Sequence, residues 1–177
     1  MHRKCVVATL LLMLLSAFAG AEEKSARPSP PAQAQCKLPG GKSISVAYSS
    51  PRAKGRKIFG DLVPYGKVWR AGANEATSLV TDANLAVDGK SVPAGSYTIF
   101  TIPNADKWTL IINKKTGEWG IPYKYESQEL LRADMNVSSA SAPVENFTIE
   151  LEPNGEGCVL GMSWEQTRAS VTLATAK

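Results

Sequence analysis

Along most of the chain the apolar side chains recur at every second position. Ile44, Val46 and Tyr48 alternate with Ser43, Ser45 and Ala47, and Leu131, Ala133, Met135 and Val137 alternate with Arg132, Asp134 and Asn136. Phe147, Ile149 and Leu151 alternate with Thr148, Glu150 and Glu152, and Ala169, Val171 and Leu173 with Ser170 and Thr172. A period of two puts successive side chains on opposite faces, so each segment reads as a strand with one buried and one wet face. The runs YTIFTI at 97–102 and WTLII at 108–112 are apolar at nearly every position, which marks strands covered on both sides. Asn104-Ala105-Asp106, Asp88-Gly89, Pro93-Ala94-Gly95 and Asn154-Gly155-Glu156-Gly157 separate the apolar runs with residues suited to tight turns. The only helical candidate is the short stretch 126–131. Roughly nine strands with short turns and no crossover helices predict an all-β fold: one antiparallel β-sandwich domain, jelly-roll-like or an open barrel, over residues 43–177.

The two ends of the pattern break this rule. Arg3 and Lys4 precede a run from Cys5 to Ala19 without a charged side chain, and Ala19-Gly20-Ala21 ends in small residues, so residues 1–21 read as a signal peptide. The run is shorter than the roughly 20 residues of a spanning helix, and no other segment is comparable, so the expected mature protein is periplasmic or secreted and free of the membrane. Residues 22–42 contain EEKSARPSPPAQAQ, rich in proline and poor in large apolar side chains, and read as a flexible N-terminal arm.

Removing the leader changes the available chemistry. His2, the only histidine of the 177 residues, goes with it, which excludes Ser-His-Asp and Cys-His catalysis and any histidine-held zinc or haem. No metal and no cofactor is expected. Cys5 goes as well, and the pair Cys36 and Cys158 that remains reads as a disulfide in an exported chain. Loss of Arg3 and Lys4 leaves 18 Lys plus Arg against 16 Asp plus Glu, too near balance to argue for nucleic acid.

Two segments carry residues that the core pattern does not explain. In DLVPYGKVWRAGANEAT, residues 61–77, the aromatic rings of Tyr65 and Trp69, the guanidinium of Arg70, the amide of Asn74, the carboxylate of Glu75 and the hydroxyl of Thr77 crowd a loop punctuated by proline and glycine. Such a set recognises polar ligands through stacking, a planar fork of donors, and acceptors. The same residues also suit an architectural role, with Arg70 paired to Glu75 and Trp69 plugging the sandwich end. The second segment, SSPRAKGRK at 49–57, places Arg52, Lys54, Arg56 and Lys57 together, either to hold an anion or as a solvated loop.

From Tyr48 to about Thr172 the chain resembles the bacterial family catalogued as domain of unknown function 2911, through YSSPRAKGRKIFGDLVPYGKVWRAGANEAT, VPAGSYTIFTIP, WTLIINK and WG. The residues that match are Ser50, Pro51, Arg52, Gly55, Tyr65, Gly66, Trp69, Arg70, Gly72, Asn74, Glu75, Ala76 and Thr77. The resemblance implies an exported bacterial protein of one β-rich domain and brings no activity with it.

Three classes of function stand on these residues. The leading one is a non-catalytic module that binds a small polar ligand through the segment from Tyr65 to Thr77. The second is a structural or assembly partner in the cell envelope. The third is a carboxylate-dependent hydrolase, in which Glu75 would act with a partner such as Asp61, Glu118 or Glu126. A concave pocket near Trp69 separates the first from the second, which needs a flat apolar patch or an open strand edge.

Overall fold

Strands form where the period-two pattern runs. In the computed structural model, residues 27–155 and 157–176 are described, so the leader expected at 1–21 lies outside them. The strands are β1 (Pro31–Lys37), β2 (Ser43–Ser49), β3 (Ser78–Thr81), β4 (Leu85–Val87), β5 (Lys90–Val92), β6 (Gly95–Ile102), β7 (Lys107–Asn113), β8 (Glu129–Asn154) and β9 (Gly157–Thr175). The described residues contain no α-helix, only 3-10 turns at Pro39–Gly41 and Glu126–Gln128. The helix expected over 126–131 is thus one 3-10 turn, and from Glu129 the chain enters β8, whose alternating Leu131, Ala133 and Met135 face the core.

All pairings between these strands are antiparallel, in the order β1-β2-β3-β6-β7-β8-β9-β4-β5. The all-β, antiparallel fold holds, but the strands belong to one open nine-stranded sheet. The long strands explain this. β8 and β9 run for 26 and 19 residues, and their mutual register shifts between Ser139 and Val144 and again between Val144 and Thr148, so the hairpin can bend. The far part of β8 then packs against β1 and β2, with Tyr48 and Phe147 edge to face at 5.8 Å and the Ile149 amide donating to the Tyr48 hydroxyl at 3.0 Å.

Cys36 of β1 and Cys158 at the start of β9 form the expected disulfide, Cα to Cα 6.5 Å apart. The closed loop spans 122 positions, for which loop-closure entropy alone corresponds to about 5 kcal/mol of stabilisation. This bond anchors part of the segment that composition assigns to a flexible arm. Pro31–Lys37 pairs along its whole length with β2, and Ala32, Ala34 and Cys36 turn toward the core. Their small side chains carry little hydrophobic weight, so the strand depends on backbone pairing and the cross-link.

The core lies inside the curled sheet, where Ile99, Leu110, Ile112, Phe147, Ile149, Val171 and Leu173 are all buried. Phe100, on the opposite face of β6, is covered by Tyr123 and Tyr125 at 4.8 and 6.2 Å between ring centroids. That cover explains why β6 is apolar on both faces.

Candidate functional site

The long connection from β2 to β3 builds the site. As it leaves β2 it runs antiparallel to the middle of β8: the Ser50 hydroxyl donates to the Phe147 carbonyl at 2.7 Å, the Phe147 amide to Pro51 at 2.9 Å and the Ala53 amide to Glu145 at 2.8 Å. Arg52 turns back, donating to the carbonyl and hydroxyl of Ser50, both at 3.0 Å. The chain then buries Ile58, Phe59 and Val63 and returns to β6, where Trp69 and Thr101 exchange backbone bonds of 2.7 and 2.8 Å. Trp69 thereby continues on β6 the ladder that β3 begins. Between them, residues 70–77 make an excursion closed at its neck by Thr77, whose amide reaches the Arg70 carbonyl at 3.3 Å and whose hydroxyl reaches Ala71 at 2.7 Å. Gly72 has φ 155°, and a Cβ there would sit 2.9 Å from the Ser49 carbonyl oxygen, so only glycine lets the excursion lie against β2.

The result is a cleft of about 770 Å3, within the range of small-molecule sites. Trp69 and Trp164 stack in its floor, 6.0 Å between centroids and 17° between planes. Phe147 lies 4.9 Å from Trp69, Trp108 6.3 Å and Phe59 6.1 Å, which fixes the Trp69 ring from the core side. At the mouth stand Leu62, Trp119 and Ile121, exposed by 46, 55 and 41%. The Arg70 guanidinium carbon lies 5.0 Å from the Trp119 ring centroid, and Nη1 donates to the Trp119 carbonyl at 3.3 Å. Burial pushes the Arg70 pKa down, and the charge of Glu75 opposes that shift.

The motif between 48 and 77 is thus the wall of one cleft together with its supports. A family described as protein of unknown function, DUF2911, matches residues 29–173. The chain belongs to the DUF2911 family. Searches among curated proteins and among solved structures return no match. The match extends upstream of β1 into the segment that meets the excursion.

In this DUF2911 domain the six residues of the expected constellation take separate places. Trp69 and Arg70 line the cleft. Tyr65 is exposed outside the lining, its ring over Gly60. Asn74, at φ 57°, donates to the Ser29 carbonyl at 3.1 Å, and Glu75 accepts from Arg27 at 2.7 and 2.9 Å, so both hold the segment before β1. Thr77 is fully buried at the neck of the excursion. Among the described residues no ion pair joins Arg70 to Glu75; its cation faces an indole and a carbonyl instead.

Other parts of the sequence complete the cleft. Arg52, Lys54 and Arg56 of the basic segment line it, whereas Lys57 does not. The two candidate segments therefore converge on one recess. The stretch around Trp119 and Ile121 carries little signal in the sequence, only a tryptophan beside a glycine. Gly120, at φ 92°, packs on Ala76 and Phe100 and brings Trp119 over Arg70. Among the described residues the lining contains no Asp or Glu, so none of them assembles a carboxylate pair there.

Proposed function

We propose that the protein is an exported, non-catalytic binding module whose small ligand occupies the cleft above Trp69 and Trp164. The observation that carries this reading is a recess of about 770 Å3 floored by the Trp69 indole, which is held in place by its stack on the buried Trp164 and by the core. Concavity favours a small ligand over an assembly partner, which would be met by a flat patch. Rigid aromatic walls lose little conformational entropy on binding. Export agrees with the Cys36–Cys158 disulfide, and among the described residues no helix is long and apolar enough to cross a membrane.

The test is a thermal-shift screen of envelope sugars, peptides and small organic acids against the wild type and Val68→Trp, which fills the cleft from its half-buried wall. At least one compound should raise the wild-type midpoint, leave the Val68→Trp midpoint unmoved, and be recovered unchanged. Conversion of that compound to product would make the protein an enzyme, and an equal shift in both proteins would place the ligand elsewhere.

A further inference from the structure

The ligand's chemistry, which rests on the binding role proposed for the cleft, is narrowed by the cleft wall. Among the described residues, every ionisable side chain in the lining is a cation: Arg52, Lys54, Arg56, Lys67 and Arg70. A chain with 20 Lys plus Arg and 16 Asp plus Glu would otherwise mix both signs on a surface of this size. None of the five forms an ion pair among the described residues.

Three of the five are also held in place. Arg52 donates to Ser50, Arg56 to the Ala53 carbonyl at 2.9 Å and to the Arg52 carbonyl at 2.6 Å, and Arg70 to Trp119. A guanidinium has five N–H donors, so each retains donors for a ligand while its position is fixed by neutral oxygens rather than by a directly paired carboxylate. Burial of Arg70 acts in the same sense, since a partly desolvated cation gains more from an arriving anion than a hydrated one does.

The cations share the recess with a large apolar surface. Trp69, backed by the buried Trp164, forms the floor, and Leu62, Trp119 and Ile121 stand exposed at the mouth. Bare phosphate or sulfate would leave that surface wet, and a neutral sugar would leave the cations unanswered. We infer that the cleft takes an organic anion, in which a carboxylate, sulfonate or phosphate group is carried on a flat apolar body, the body lying on Trp69 between the apolar side chains of the mouth and the anionic group meeting the basic wall. The same residue types suit an anionic bilayer surface, but a bilayer is planar and cannot fill a recess floored by stacked rings.

The full exported domain is titrated by tryptophan fluorescence with 2-naphthoate, its neutral isostere 2-naphthamide, acetate, and vesicles of phosphatidylglycerol. Naphthoate should bind at least tenfold more tightly than naphthamide, with acetate and vesicles producing no saturable change. Lys54→Gln/Lys67→Gln should weaken naphthoate at least fivefold without moving the thermal midpoint, because neither ammonium has an ion-pair partner among the described residues to lose. Lys42→Gln, an exposed charge change remote from the cleft, should leave binding unaltered and so separate local from net charge. Equal affinity for naphthoate and naphthamide would overturn the anion inference and leave the binding role standing. If neither aromatic probe binds, and the broader screen still finds a cleft ligand, the inference alone fails; if the screen is also blank, both fail. Saturable binding to vesicles without binding of naphthoate would make the cleft a membrane contact.

Discussion

The indoles of Trp69 and Trp164 lie nearly parallel, 6.0 Å apart, joining the loop after β2 to the middle of β9. One ring is thus both a wall of the cleft and a support of the core. Trp69→Ala removes the stack together with its edge contacts to Phe147, Trp108 and Phe59. The expected loss of stability is about 3 kcal/mol, with Trp69→Phe losing less, measured by urea unfolding.

Gly120 should tolerate no side chain. A Cβ there would lie 2.8 Å from that of Ala76 and 3.0 Å from the Phe100 ring, at a positive φ of 92°. Gly120→Ala should cost about 2 kcal/mol or more from strain and overpacking. Because Trp119 must move with it, the quenching of tryptophan fluorescence by iodide should change as well.

Thr101 makes the opposite forecast. Its hydroxyl is buried on β6 without a hydrogen-bond partner among the described residues, and valine has nearly its shape. Thr101→Val should be neutral or stabilising by about 1 kcal/mol, read from the thermal midpoint, since an unpartnered buried hydroxyl is replaced by a methyl group.

Glu129 sets an acid limit. Arg132 donates to it at 2.8 Å through both Nε and Nη2 and holds its pKa below the ordinary value, with the Tyr123 hydroxyl at 2.7 Å adding to the effect against burial. Its folded pKa is lower than its unfolded one, so its contribution is complete above the ordinary carboxylate range and is lost as pH falls through the folded value. The stability difference between wild type and Glu129→Gln should be constant from pH 6 to 8 and shrink below about pH 4.5. Chemical denaturation across that range measures it.

What could be read from the sequence was local or subtractive. Alternation at Ile44, Val46 and Tyr48, or at Phe147, Ile149 and Leu151, gives strand and face together because a strand's period is built into its backbone. The pairing of Cys36 with Cys158 was legible because subtracting the expected leader leaves two cysteines. Ala32 and Ala34 were too small to mark β1. The single curled sheet was hidden because it depends on the register shifts near Val144, which no composition announces. Arg70 and Glu75 are five positions apart, yet Glu75 reaches Arg27 and Arg70 reaches Trp119. Such partners are chosen by how distant segments cross, and the cleft itself is that kind of crossing.

The cross-link between Cys36 and Cys158 encloses almost the whole cleft. The exposed turns at 54–57 and 64–67, the natural targets of a protease, both lie between the joined cysteines. A single cut there severs the backbone but leaves the fragments covalently attached, with β2 and β6 still in register to either side. In an oxidising, protease-rich environment this ring lets the molecule survive a single nick at its most accessible point as one piece, and only reduction or a second cut would release a fragment.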